Sequence, residues 1–269
     1  METEILGYLA SALIGISLGL IGGGGSILTL PVMVYLFHVS PLLATSYSLF
    51  VVGSTSLVGA LSSYRKGLVN IRAALLFGAT SIATVFLTRK FIVHVIPHEL
   101  FTIGDFTVTS GLMTMILFAV LMLVASFSMI GKSKFIRPSA TINGYRPSRW
   151  IKMFVYGSGI GVVTGILGAG GGFLLIPALV LLVKIPMKQA VGTSLFIIAM
   201  NSLVGFAGDL NHFEIQWPFL LEITAIAIAG LFLGAHFSKQ IAASTLKKGF
   251  GWFILLMAIY ILLAETLHW

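Results

Sequence analysis

The chain has 269 residues, of which 58% are hydrophobic and only 9% charged, with sixteen Lys+Arg against eight Asp+Glu. A soluble domain carries about 25% charged residues, so these charges are too few to cover a core of this size. The composition excludes an ordinary soluble enzyme and a disordered chain, and leaves an integral membrane protein.

There are no cysteines, which excludes disulfides, thiolate metal sites and thiol nucleophiles. Met1-Glu2-Thr3-Glu4 is acidic, whereas a cleaved signal peptide wants a positive start, so the first apolar segment is expected to stay in place. The net charge of +8 lies in short clusters between apolar runs, the pattern of cytoplasmic loops, and nucleic acid is not expected as a partner.

Long apolar runs separated by short polar breaks predict an all-α membrane protein. Eight hydrophobic segments stand at 5–37, 41–64, 69–88, 106–130, 151–183, 186–207, 217–240 and 248–266. Those at 5–37 and 151–183 are too long for one crossing, and both are interrupted by glycine. The longest hydrophilic stretch carries Lys132, Lys134, Arg137, Arg146, Arg149 and Lys152 with Pro138 and Pro147. The chain therefore divides into a first repeat at 1–131, a basic linker at 132–150 and a second repeat at 151–269.

The two halves resemble each other at a constant offset of 146 residues. Gly15, Gly19, Gly22 to Gly25 and Pro31 lie over Gly161, Gly165, Gly168-Ala169-Gly170-Gly171 and Pro177. Ala44, Ser48-Leu49-Phe50, Ser56-Leu57-Val58 and Gly59 lie over Ala190, Ser194-Leu195-Phe196, Ser202-Leu203-Val204 and Gly205.

Lys and Arg counts argue the orientation. If all eight segments cross once, the two sides carry nine and seven basic residues, which is no bias. If the two glycine-broken segments are hairpins, the count becomes fourteen against two, as the positive-inside rule prefers. Both termini then face out and the linker is cytoplasmic. Each half makes an odd number of crossings, so the halves are inverted repeats, an architecture of secondary transporters.

Irregular backbone at membrane depth survives only inside protein or beside a wet cavity. Gly22, Gly23, Gly24 and Gly25, and Gly168, Gly170, Gly171 and Gly172, are poor helix interior but permit positive φ and close approach to a ligand. Each run precedes a short apolar helix with Pro31 or Pro177 near its first turn. Each tip would present free N–H groups and the positive end of a helix, which favour an anion. Hydroxyl and amide groups nearby complete the candidate substrate site: Ser26, Ser46, Ser48, Thr193, Ser194, Asn201 and Ser202. Mutation of Gly24 or Gly170 to a bulky residue is expected to abolish function. The stripes at Ser11, Gly15, Gly19 and Gly23, and at Gly157, Gly161 and Gly165, are read as close helix packing.

Ionisable residues in or near spans are few. Glu222 and His236 lie in the seventh segment, Asp209, His212 and Glu214 form the loop before it, and His38 ends the first long segment. His236 is a candidate proton-coupling group. The absence of an acidic residue at mid-span suits an anion site built from backbone dipoles. Neither glycine run continues as a P-loop. The six histidines show no HExxH; only His94 and His98 have helical spacing, and they flank Pro97. No catalytic residue, metal or cofactor is expected.

The doubled glycine motif ending in proline, Gly15 to Pro31 and Gly161 to Pro177, resembles the sulfite exporter TauE/SafE family of membrane transporters. So do Ala-Thr-Ser-x-Ser-Leu-Phe at 44–50, Ala-Val-Gly-Thr-Ser-Leu-Phe at 190–196, the turn Tyr64-Arg65-Lys66-Gly67, and the pair Gly230 and Gly234. The first half departs from the pattern, with Thr84 and Thr88 where the second has Gly230 and Gly234, which leaves tight packing there open. The resemblance implies a multi-pass bacterial inner-membrane exporter of sulfite, sulfonates or related small anions. Its partners would be that anionic substrate and the lipid bilayer, as a monomer or homodimer. Alternating access is the expected mechanism. An anion channel of the same fold, or a membrane-embedded enzyme or assembly subunit, are the alternatives.

Overall fold

The computed structural model describes residues 2–93, 95, 97, 99–103, 106–131, 147–168, 170–183, 185–210, 212–238 and 243–267. Its elements are helical apart from one short hairpin. They run α1 (Glu2–Ile21), α2 (Thr29–Pro31), α3 (Pro41–Arg65), α4 (Ile71–Leu87), β1 (Glu99–Ile103), β2 (Phe106–Thr109), α5 (Ser110–Ile130), α6 (Pro147–Leu167), α7 (Gly172–Ala178), α8 (Met187–Asp209), α9 (Trp217–Phe237) and α10 (Ala243–Leu267). Among the described residues, five stretches are long and apolar enough to cross a membrane: Pro41–Arg65, Ile71–Val93, Ser110–Phe127, Met187–Asp209 and Trp217–Phe237. Shorter apolar helices cover Leu6–Ile21, Gly25–Leu36, Phe154–Leu167 and Gly251–Thr266. The chain is a multi-pass membrane protein.

Local chemistry starts and stops these helices. Pro41 opens α3 and Pro218 opens α9, where a missing N–H costs nothing. Asn70 caps α4 by accepting from the Ala73 amide at 3.0 Å, and Thr109 caps α5 from Leu112 at 3.2 Å. After α3 the amides of Gly67 and Leu68 donate back to Tyr64 at 2.9 Å and Ser63 at 3.0 Å, a Schellman closure of the Tyr-Arg-Lys-Gly turn.

Two sequence expectations shift. The fourth segment does not begin as helix at 106: Phe106–Thr109 pairs antiparallel with Glu99–Ile103, and helix starts at Ser110. α6 begins at Pro147, so the last residues assigned to the linker are its first turn. Residues 132–146, His94 and His98 lie outside the described residues.

The first long segment breaks at Gly22 and doubles back. A tight turn of helix over Gly23–Leu28 leads through α2 into a wide turn at Val32–Leu36. The returning arm ends beside the start of α1. The Phe37 and Tyr8 rings stand 5.8 Å apart, and a Cβ on Gly7 would lie 2.7 Å from Phe37 Cε1. His38 then takes a positive φ of 55° to redirect the chain into α3. In the second half α6 breaks at Gly168 and α7 continues as a wide turn over Leu179–Val183.

Helices pack across the two halves at backbone distance. A Cβ on Gly15 would lie 2.7 Å from the Ala227 carbonyl carbon, and one on Gly234 would lie 2.9 Å from that of Ile16. A Cβ on Gly161 would lie 2.7 Å from Ser81 O and 2.8 Å from Thr84 Cβ, and one on Gly165 would lie 2.7 Å from Thr88 Cβ. Ser81 and Ala227, like Gly15 and Gly161, are 146 residues apart in sequence. Close packing survives the Thr84 and Thr88 substitutions because the glycines of α6 alone supply the approach. Thr84 also satisfies its hydroxyl on the Thr80 carbonyl at 2.8 Å. In lipid, where apolar burial gives no drive, such small-residue seams hold helices together.

α3 and α8 form the central pair. A Cβ on Gly59 would lie 3.3 Å from Leu195 Cδ1 and one on Gly205 3.2 Å from Leu49 Cδ1, so the two helices run in opposite directions. The buried apolar side chains form two clusters. One includes Ile14, Leu18, Ile27, Leu30, Met33 and Leu49, the other Val52, Phe77, Leu175, Leu179, Ile197 and Ile198. Outward faces carry Leu9, Leu13, Val124, Phe127, Phe232, Trp252 and Leu256, all more than half exposed, as lipid contact requires.

Gly234→Leu should cost about 1–3 kcal/mol by overpacking the α1–α9 seam. Gly159→Ala, where a Cβ meets open space, should stabilise α6 by up to about 1 kcal/mol. Thermal unfolding of the two purified variants in detergent checks the contrast.

Candidate functional site

The two glycine breaks meet. A Cβ built on Gly23 would lie 2.6 Å from Gly172 Cα, and one on Gly172 would collide with the Gly23 carbonyl. No residue with a side chain fits either position. Gly22 has φ 77° and Gly168 φ 66°, a left-handed turn that L side chains rarely adopt.

The breaks rest on the central helix pair. A Cβ built on Gly22 would lie 2.6 Å from Val191 Cγ1, and one on Gly168 2.6 Å from Thr45 Cα, a pair of close approaches related by the same 146-residue offset. Gly170 would bring a Cβ to 2.8 Å from Val52 Cγ1, 3.1 Å from Ile198 Cγ2 and 3.1 Å from Ser202 Oγ. Helical spacing therefore aligns Thr45, Ser48, Val52, Thr55 and Ser56 on the face of α3 toward the breaks. Val191, Ser194, Ile198, Asn201 and Ser202 share the corresponding face of α8.

Several of these polar groups are buried without a partner. Ser46, Ser48, Thr55, Ser56 and Ser202 are fully buried, and their hydroxyls make no hydrogen bond among the described residues. Neither does the Thr29 hydroxyl, in the returning arm, nor that of Thr164, whose Oγ1 crowds Gly171. Asn201 donates from Nδ2 to Ser81 Oγ at 2.7 Å, while its Oδ1 accepts nothing. A buried hydroxyl without a partner is costly, and each one calls for an explanation.

The other expected site residues divide by where their hydrogen bonds go. Ser26 donates to the Gly23 carbonyl at 2.9 Å and Ser194 to that of Val191 at 2.9 Å, both closing a local turn. Thr193 accepts from the Asn70 amide at 2.9 Å and ties α8 to the start of α4. Ser46 lies one residue off the line facing the breaks. Gly24 and Gly25 continue the first break, with a Cβ on Gly25 reaching 2.7 Å from the Ser17 carbonyl carbon. Gly171 takes φ 66° at the start of α7.

Thr55 and Ser56 of α3 are not among the site residues expected from the sequence. The 146-residue offset carries them onto Asn201 and Ser202, and that signal was in the sequence. Ser81 is a second omission, and nothing in its own neighbourhood marks it as the partner of Asn201.

The ionisable groups singled out stand elsewhere. Glu222 is exposed and accepts from the Tyr8 hydroxyl at 3.1 Å, and His236 is exposed in the last turn of α9. Asp209 is not a loop residue. It ends α8, fully buried, and its Oδ2 holds Nη1 of equally buried Arg89 at 3.0 Å. Among the described residues no group of three or more His, Cys, Asp or Glu could hold a metal.

The family model described as "Sulfite exporter TauE/SafE" matches residues 7–261. A "Probable membrane transporter protein" of Xylella fastidiosa is 27% identical over 265 residues, covering 97% of this chain and 96% of that protein. "Probable membrane transporter protein YdhB" of Bacillus subtilis is 26% identical, covering 89% of this chain and 92% of its own length. One from Methanocaldococcus jannaschii is 33% identical over 122 residues, 43% of this chain and 45% of the relative. No solved structure matches.

Asn201→Leu strands the Ser81 hydroxyl and should cost about 1–3 kcal/mol. Adding Ser81→Ala should recover part of that loss, with a coupling of roughly 0.5–3 kcal/mol in a double-mutant cycle read by thermal unfolding.

Proposed function

We propose, from the premise that the chain belongs to the sulfite exporter TauE/SafE family, that it carries a small oxyanion across the membrane through the meeting point of its two glycine breaks. The family and its named relatives are membrane transporters and not enzymes. Sulfite and related sulfur-containing or organic anions are the substrate class this reading takes from the family description.

One observation carries the reading. Buried hydroxyls without partners, Ser48, Thr55, Ser56 and Ser202, share the helix faces on which the two breaks rest. A hydroxyl is a hydrogen-bond donor, and the oxygens of an oxyanion are acceptors. The backbone N–H groups that begin each returning arm add further donors. Gly22 to Gly25 and Gly168 to Gly172 let the backbone approach the anion without a side chain between. Ser26, Ser194 and Thr193 have local partners and hold the frame, and Asn201 is oriented by Ser81.

The mechanism is alternating access between inverted repeats. Contacts support it: Gly15 with Ala227 and Gly161 with Ser81 repeat at one offset, while α3 and α8 run in opposite directions. Residues 1–131 and 151–269 are the two repeats. The linker lies in the cytoplasm and both termini lie outside, in a bacterial inner membrane. Removing buried Arg89 from the loop charges sharpens the positive-inside bias that sets this orientation.

Gly170→Leu fills the space between Val52, Ile198 and Ser202 and should reduce transport to background, with membrane insertion and monodispersity retained. Ser202→Ala removes a hydrogen bond to a charged ligand, about 1.5 kcal/mol or more, and should weaken binding roughly tenfold. The assay is uptake into proteoliposomes, with thermal-shift titration against sulfite, thiosulfate, sulfate, sulfoacetate, taurine, acetate and chloride. Transport by Gly170→Leu at the wild-type rate rejects the site. Flux that rises without saturation or exchange identifies a channel instead.

A further inference from the structure

The buried Arg89–Asp209 pair sits outside the site described above. It joins the end of the α4 span to the end of α8, one from each half, with both side chains at 0% exposure and Nη1 to Oδ2 at 3.0 Å. Eight residues nearer the glycine breaks on both helices, Ser81 and Asn201 make the same cross-link at 2.7 Å. Eight helical residues span about 12 Å. Between the two links the seam is closed by small residues. A Cβ on Gly205 would lie 2.8 Å from Val85 Cγ1, and one on Gly208 3.3 Å from Arg89 Cβ. The α4–α8 seam thus runs from the site, at Asn201 and Ser202, to a buried cation.

The repeat does not require that cation. The offset that relates the halves carries Ser81 and Arg89 onto Ala227 and Ala235, and Asn201 and Asp209 onto Thr55 and Ser63. The α3–α9 seam holds its place with no ion pair at those positions. A buried ion pair gives little net stability over apolar side chains of similar volume, so packing alone does not account for one added to a single seam. What the pair does supply is chemistry. A guanidinium binds a carboxylate through two planar N–H donors, and a small oxyanion offers it the same oxygens.

We propose that Arg89 is a second anion-binding residue of the transport path, occupied in this conformation by the Asp209 carboxylate. A small oxyanion leaving the site replaces that carboxylate when the α4–α8 seam parts. Separation takes the carboxylate away from a buried guanidinium, a cost that an incoming anion offsets, so opening at this end is coupled to the anion. The inference rests on the anion-transport reading of the glycine site.

The test is efflux of sulfite, thiosulfate and acetate from proteoliposomes. R89M/D209L replaces the pair with apolar side chains of similar volume and keeps the seam packed. For the anion that the wild type carries fastest, its efflux should fall roughly tenfold or more. The thermal shift given by the same anion should be unchanged. R89K, which keeps the charge but loses the planar fork, should fall between the two. Because the chain has no native cysteine, V85C/G205C places one cross-link in the seam. Oxidation should stop efflux and a reductant should restore it. Wild-type efflux by R89M/D209L, or by fully cross-linked V85C/G205C, overturns the role of Arg89 and leaves the glycine site standing. If R89M/D209L does not fold, the cross-link decides. A wild type that carries none of the three anions overturns the transport reading and this inference together.

Discussion

The contact between Gly23 and Gly172 is the constraint on which the rest of the structure depends. Two chain breaks from different halves touch backbone to backbone, at a separation that a single Cβ would prevent. That approach fixes where the two breaks stand relative to each other. It also fixes where α3 and α8 must stand, because Val191 and Thr45 bear on Gly22 and Gly168. The far end of the first arm is anchored independently, by Phe37 against Tyr8 and by the Tyr35 hydroxyl on Glu265 at 2.8 Å. With both ends of the arm held, the hydroxyls facing the breaks have little freedom to relax toward other partners. Several of them consequently stay buried and unsatisfied, a state that membrane proteins otherwise avoid.

Around that contact, corresponding positions solve the same packing problem in different ways. On α9, Gly230 and Gly234 receive α1 while Gly15 and Gly19 press from the other side, so both partners are small. On α4, Thr84 and Thr88 replace those glycines, and only α6 supplies Gly161 and Gly165. The seam remains tight because a threonine whose hydroxyl bonds its own helix presents a compact, largely apolar surface. The repeat thus constrains the separation of the helices more strongly than the identity of the residues. The α4–α8 seam uses that latitude to take on Ser81–Asn201 and Arg89–Asp209, and its counterpart does not.

Spans, breaks and packing stripes were legible in the sequence because each has a local signature. Apolar runs of spanning length, glycine clusters followed by proline, and small residues every fourth position report their roles without tertiary information. The short hairpin was not legible. Phe106 to Thr109 is apolar and abuts a helical run, so hydropathy merges strand with helix, and only the pairing with Glu99–Ile103 separates them. Arg89 and Asp209 were not legible either, since a charge at the end of an apolar run looks the same whether it enters a loop or folds back into a seam. Among hydroxyls the sequence marks candidates but does not reveal which of them keep a free donor. Ser26 and Ser194 spend their donors on a carbonyl three residues back, whereas Ser48 and Ser202 do not, and that difference depends on rotamers set by the surroundings. The constant offset did contain one further clue, since it maps Thr55 and Ser56 onto Asn201 and Ser202.

If the chain carries an anion as proposed above, its distribution of charge has a physical reason. A substrate site must bind well enough to capture the anion and weakly enough to release it on the other side, the condition that also governs conduction through pores. A fixed cation at the glycine breaks would attract an anion very strongly at low dielectric, and every passage would then have to break that attraction. Hydroxyls and backbone amides supply donors without a net charge, so their hold on the anion is moderate. The described residues place the buried cation along the seam, two turns from Asn201, and neutralise it there with a carboxylate. On the proposed reading, a neutral site and a displaced, compensated cation together would let one chain desolvate an anion without trapping it.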